Sequence, residues 1–267
     1  LKARPRIEWT SEYFFRPLAH LCVLVLLPLR VPPTWLVVFH TCLGVFAGVL
    51  VARGDHWTAA ILIQIKTILD NADGQLARAS GMVTETGRYL DTEGDFVVNV
   101  ALFLGLGAFT GQWLLAVVAL AVFTVLLSVD FNWEYLYRHE RGEGFRPKPD
   151  SSREHQGVLR ALERFYATVF APQDRLVRRV SENRFETVYA RHPNPQARGD
   201  ARLAYFEADS LLVLANLELS TQLLVLGVCL VLGVPMVFLW FVIASGVVVV
   251  GLQLRREARA SRVLRGA

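Results

Sequence analysis

Cysteine is scarce in this chain, and charge is absent from long stretches of it. The three cysteines, Cys22, Cys42 and Cys229, each sit in an apolar run without CxxC spacing. This excludes a disulfide framework and a thiolate zinc site, and leaves packing as their expected role. There is no internal repeat and no low-complexity tract. No cleavable-signal pattern appears near the start, where charged residues and Trp9 to Arg16 interrupt any such run. The expectation is that the first true span serves as the membrane signal.

What is present is apolar material in blocks. Hydrophobic residues make up 53% of 267, and mean hydropathy is +0.36. Six stretches, near 33–53, 57–79, 87–109, 113–132, 211–232 and 234–254, have the roughly 20 residues needed to cross hydrocarbon. The basic residues orient them. Of 28 Lys and Arg, five precede the first span, Arg78 and Arg88 join spans two and three, fourteen lie between 133 and 210, and five follow the last span. The opposite side keeps Arg53, and Lys66 falls within a span. By the positive-inside rule, both termini and the Arg78–Arg88 connection face the cytoplasm, and a bacterial cytoplasmic membrane is the expected location. No nucleic-acid partner is expected.

The expected fold is all-α: an integral membrane bundle of six transmembrane helices, with an N-terminal interfacial amphipathic helix and a cytoplasmic helical excursion between spans four and five. Its divisions are 1–32 (N-terminus and interfacial helix), 33–132 (spans one to four), 133–210 (excursion), 211–254 (spans five and six) and 255–267 (basic tail). Residues 11–30 are apolar but broken by Pro17 and Pro28 and bracketed by Arg16 and Arg30, so an interfacial helix suits them better than a seventh span. In the excursion, turns are expected at Pro147, Pro149, Pro193 and Pro195. Leu159, Leu162, Phe165, Tyr166, Val169 and Phe170 recur there at helical spacing, and a second basic amphipathic stretch begins at Pro172 and ends near Val180. The expectation is a helical pair lying on anionic headgroups. A lid or acceptor-binding element using Arg175, Arg178 and Arg179 is the alternative.

Four aspartates interrupt the most hydrophobic half of the chain. Asp70 and Asp73 lie three apart and Asp91 and Asp95 four apart, so on two helices each pair projects from one face. Two facing helices would converge the four acids. In low dielectric such a group must take up protons or bind cations, and the oxygen-only set favours magnesium, manganese or calcium over zinc. Asn71-Ala72-Asp73-Gly74 resembles part of a calcium loop, but Leu69 occupies the first ligand position, so an EF-hand does not fit.

The full pattern is Asp70-x2-Asp73-Gly74-x2-Ala77-Arg78-x8-Gly87-x3-Asp91-x3-Asp95. A chance match is on the order of one in 10^8 per chain at ordinary residue frequencies. It is similar, without a departure, to the signature of the CDP-alcohol phosphotransferase family of membrane enzymes in phospholipid synthesis. The resemblance implies a six-helix fold, usually homodimeric, with two divalent ions, Mg2+ or Mn2+, held by Asp70, Asp73, Asp91 and Asp95. It implies a CDP-alcohol donor, with CDP-diacylglycerol expected, whose phosphorus distal to cytidine is attacked by an acceptor hydroxyl as CMP leaves. Asp95 would touch the second metal or act as general base. The acceptor alcohol stays open, because the motif describes the donor.

The residue chemistry agrees with those roles. Paired divalent ions neutralise a diphosphate during in-line displacement, and a carboxylate beside the hydroxyl takes its proton. Gly74, Gly87 and Ala77 keep a flank small where a nucleotide approaches the backbone, with Asp73 beside them, and Arg78 offers a planar fork to a phosphate oxygen. Arg88 reads as a positive-inside anchor. Lys66, one turn from Asp70, is expected either to pair with the carboxylates or to bind an anionic group of the acceptor, with membrane lipids as its surroundings. Asn99, one turn beyond Asp95, is a candidate hydrogen-bond support. Asn216, Glu218, Thr221 and Gln222 on span five, and Asp130 and Asn132 at the end of span four, either line the acceptor pocket or bond between helices. The rivals are a polyprenyltransferase, whose acid motifs lie on separated repeats, and a divalent-cation transporter, which needs acids in the outer halves of the spans.

Overall fold

The computed structural model describes residues 7–144, 149, 151–152, 154–189 and 193–266. The turn expected at Pro147 lies outside the described residues, as do Lys2, Arg4, Arg6, Arg146, Lys148, Arg153 and Arg191 of the basic residues counted above. The described residues are helical, with no strand among them. A π-helical turn, Ser11–Phe15, runs into α1 (Arg16–Leu26). Four long helices follow: α2 (Pro33–Arg53), α3 (His56–Ser80), α4 (Glu85–Thr110) and α5 (Trp113–Glu140). After α6 (Gln156–Val169), α7 (Ala171–Tyr189), α8 (Pro195–Tyr205) and α9 (Ala208–Ala215), the chain ends in α10 (Leu219–Val231) and α11 (Pro235–Arg265).

Local chemistry sets the boundaries. Pro33 starts α2 where its missing N–H costs nothing, and Gly54 ends it at φ 80°, a left-handed conformation suited to glycine. Asp55 then caps α3 by accepting from Thr58 N at 3.3 Å. At the other end of the bundle, Gly81 (φ 71°) closes α3, and Thr84 caps α4 through its hydroxyl and Gly87 N at 3.0 Å. α2, α3 and α4 thus coincide with three expected spans to within two residues.

α2 is the centre of the bundle and packs against both α3 and α4. A Cβ on Gly44 would lie 2.6 Å from Val98, and one on Gly48 2.7 Å from the Ala101 backbone, so small residues let α2 and α4 touch. Around them an apolar core gathers α2 to α5, α10 and α11. Phe103 stands 5.7 Å, ring to ring, from both Phe123 and Phe238. Outside it, Trp35, Phe39, Trp57, Leu114, Trp240 and Val247 stay exposed, as lipid-facing residues do. Among the described residues, five stretches, 33–53, 85–110, 113–140, 195–231 and 235–265, are long and apolar enough to cross a membrane. α3 has the length but carries Lys66, Asp70, Asp73 and Arg78, and its charge keeps it out of that set. The protein is an all-α membrane bundle.

The helices depart from the expected spans in three places. The fifth span, expected over 211–232, is broken at 216–218 into α9 and α10. Asn216 accepts from Trp9 N and donates to Ile7 O, each at 3.0 Å, and Glu8 accepts from Thr221 N at 3.0 Å, so the N-terminal segment caps α10 from outside. The fourth span was expected to stop at 132 and the sixth at 254. α5 instead continues to Glu140 and α11 to Arg265. Their polar ends are covered by the excursion: Leu136 and Ala260 join Phe185, Tyr189, Ala201, Tyr205 and Phe206 in a second core. Arg256, expected in a basic tail, is buried there, its guanidinium 3.9 Å from the Trp133 ring and donating to Tyr205 O at 2.8 Å.

The stretch expected to end near Val180 runs on to Tyr189 as α7, and the excursion docks on the bundle. α1 packs on α3 through Ala19 and Val23 against Ala72 and Leu76, and leaves Leu21, Leu24 and Val25 exposed. The close α2–α4 contact makes a direct prediction. Gly48→Leu should overpack it by about 1–3 kcal/mol and lower the thermal midpoint in detergent by roughly 2–10 °C. A midpoint unchanged to within a degree would contradict the packing.

Candidate metal centre

α2 packs against both α3 and α4, so the acid pairs of those two helices meet beside it, and the α2 side chain at that level becomes part of the site. That residue is His40, fully buried, with Nε2 2.8 Å from Asp73 Oδ2 and 3.8 Å from Asp70 Oδ1. Ligand atoms of His40, Asp70, Asp73 and Asp91 all lie within 4.8 Å of one another. Sequence reading missed His40. A histidine within the apolar run of the first span was the available signal, because its partners stand thirty or more positions away.

Asp95 is placed differently. Its Oδ1 is paired with the ammonium of Lys66, which is 1% exposed and also lies 3.4 Å from Asp70 Oδ1. Lys66 therefore bridges the α3 and α4 acids. No hydrogen bond joins Asn99 to Asp95 among the described residues, although Asn99 is buried one turn away. Arg78 is exposed at the end of α3 and folds back over Gly74, where a Cβ would come 3.3 Å from its Nη1. Gly74 thus leaves room for the guanidinium. Gly87 lies in the first turn of α4, where a Cβ would meet the capping Thr84 hydroxyl at 2.8 Å, and Ala77 is half-buried on α3.

Several other polar residues bond to the protein itself. Asn132 donates to Asp174 Oδ1 at 2.9 Å and accepts from Arg178 Nε at 3.2 Å. Gln222 Nε2 reaches Ser245 Oγ at 3.3 Å, and Asn216 and Thr221 bind the N-terminal segment. These are contacts between elements of the fold. Asp174 went unnoticed in the sequence, yet it is buried and also accepts from Ser128 Oγ at 2.6 Å and Tyr166 OH at 2.7 Å. Burial and the Asp174 carboxylate push the Tyr166 phenol up, so it remains a donor at neutral pH.

The donor set fits a divalent cation. Asp91 Oδ1 is buried without a hydrogen-bond partner among the described residues, beside two further carboxylates and an imidazole. One lysine cannot balance four carboxylates, and a buried carboxylate oxygen left unbonded is costly unless something cationic meets it. The carboxylate oxygens that dominate the set suit Mg2+ and Mn2+.

Inner membrane protein YnjF of Escherichia coli (strain K12) is 33% identical over 107 residues, which is 38% of this chain and 52% of that protein. The chain thus spans about half the length of the curated relative it matches. No solved structure matches the chain. The family model described as CDP-alcohol phosphatidyltransferase matches residues 30–141, which include His40, Lys66 and all eight motif positions. Residues 30–141 are thus similar to a CDP-alcohol phosphatidyltransferase domain.

Proposed function

We propose that the chain is a divalent-metal-dependent transferase of phospholipid biosynthesis that moves a substituted phosphate from a CDP-alcohol to an acceptor alcohol and releases CMP. The observation that carries this reading is the convergence of Asp70, Asp73, Asp91 and His40 on one buried point within a complete motif. CDP-diacylglycerol is the donor we assign, since a lipid can reach the site sideways from the bilayer. Asp70, Asp73 and Asp91, with His40 beside them, would hold two cations, Mg2+ or Mn2+, with Asp95 either a further ligand of the second or the general base. When bound, the cations supply neutralisation of the diphosphate and of the charge that develops on its oxygens.

The protein groups divide the remaining work. Asp73, Gly74, Ala77, Arg78 and Gly87 form the nucleotide-binding face, with the Arg78 guanidinium on a phosphate oxygen. The acceptor oxygen forms the new P–O bond as the bond to the CMP oxygen breaks. Asp95 takes the hydroxyl proton, and Lys66 holds that carboxylate in place. The site faces the cytoplasm with both termini, and the chain works as a homodimer.

CMP release by detergent-purified protein, supplied with CDP-diacylglycerol, Mg2+ or Mn2+ and a panel of alcohols, tests the reading. Metal-dependent release with at least one alcohol is expected, and Asp95→Asn should slow it by about 10^2–10^4-fold. No release with any acceptor and no binding of cytidine nucleotide would overturn the assignment. Mn2+ should raise the thermal midpoint of the wild-type protein and leave that of Asp91→Asn unmoved; equal shifts would remove Asp91 from the metal centre. Arg78→Ala should raise the donor KM by about tenfold, the loss of one charge-assisted hydrogen bond, with a smaller change in kcat. An unchanged KM would deny it the phosphate contact.

A further inference from the structure

The segment after residue 141 lies outside the matched domain, yet it returns to the domain's motif helix. Glu154, just ahead of α6, accepts from Glu85 N through Oε1 at 2.8 Å and from Thr86 N through Oε2 at 2.7 Å. With Thr84 accepting from Gly87 N, the first three amides of α4 all have acceptors, two of them supplied by a carboxylate nearly seventy residues downstream. A carboxylate at a helix N-terminus also meets the positive end of the helix dipole.

The contact continues along α4. Tyr166 meets Tyr89 at 5.5 Å between ring centroids, and Phe165 and Phe170 meet Phe96 at 6.3 and 5.4 Å. Beyond them, Asp174 is fixed to α5 by Ser128 and Asn132, and Arg178 bonds Asn132. The segment is therefore anchored on α5 and grips α4 from its first turn down to Phe96.

We propose that the segment from Glu154 to Arg178 is a clamp on α4, and that Glu154 is a positioning residue for the nucleotide-binding face. The inference rests on the transferase reading, in which Gly87 borders the nucleotide. Gly87 is the third residue of α4 and lies inside the turn that Glu154 caps. Asp91 sits a full turn deeper, in the stretch that α2 packs. Loss of the cap should therefore loosen the nucleotide face and spare the metal centre.

The test uses the full chain in detergent and reads three quantities by titration and hydrogen exchange: Mn2+ affinity, CMP affinity in the presence of Mn2+, and exchange at the Glu85 to Gly87 amides. Glu154→Ala should weaken CMP about three- to tenfold, in proportion to charge-assisted hydrogen bonds lost from a supporting position, while Mn2+ affinity holds within twofold. The Glu85 and Thr86 amides should exchange faster, more so than Gly87, which keeps Thr84 as acceptor, and Glu154→Gln, which keeps one acceptor oxygen, should fall between Glu154→Ala and wild type. CMP affinity equal to wild type overturns the clamp, as does an equal loss of Mn2+ and CMP binding, which marks general destabilisation. If Glu154→Ala does not fold, Glu154→Gln decides by the same criteria. Wild-type protein that binds Mn2+ but not CMP overturns the transferase reading, and the clamp's role in it falls too. Loss of CMP binding confined to the variants separates the two cases.

Discussion

Everything about the motif region depends on keeping like charges together inside an apolar bundle. Two carboxylates about 5 Å apart repel by roughly 3 kcal/mol even at an effective dielectric near 20, and four of them compound the effect. The chain answers with groups that few membrane helices carry. Lys66 lies between Asp70 and Asp95, and the His40 ring lies against Asp73 and Asp70. Neither removes the excess negative charge. The bundle holds its acids fixed but incompletely balanced, which is the electrostatic condition for a strong cation site.

α2 is what makes that arrangement geometrically possible. Its glycines bring α4 against one side of it while α3 packs on another, so the acid pairs converge at the motif end without α3 and α4 having to interdigitate. The turn through Gly81 to Thr84 then spans the gap between the two acid-bearing helices.

How much of this could be read beforehand follows from the range of each interaction. The aspartate spacings are local and imply shared helical faces directly. The helix ends at Pro33, Gly54, Gly111 and Pro235 are local too, and they fall where the helices begin or stop. The partnership of Lys66 with Asp70 is an i, i+4 relation and was legible directly, whereas its contact with Asp95 crosses between helices and followed only from the expected convergence of the acids. His40 was hidden because nothing near it in sequence is polar enough to explain it. The break at Asn216 was hidden although Asn216, Glu218, Thr221 and Gln222 interrupt the apolar run, since the groups that stabilise the break come from Ile7 to Thr10. α5 and α11 outran their expected ends for another reason. Hydropathy marks where a helix leaves hydrocarbon, whereas its hydrogen bonds continue as long as packing supports them.

The same distinction explains what the chain gains beyond residues 30–141. α10 covers an apolar face of α3 around Ala60 and Ile63, and in a bilayer lipid tails would cover that face nearly as well. The polar contacts have no such substitute. Amides of the first turn of α4, the Asp174 group against α5 and the capping of α10 by Glu8 each satisfy groups that hydrocarbon cannot. Wherever these groups sit below the headgroups, their partners must come from the protein. The additional segments therefore act on the motif helices through hydrogen bonds at the motif end, where the first turn of α4 holds Gly87.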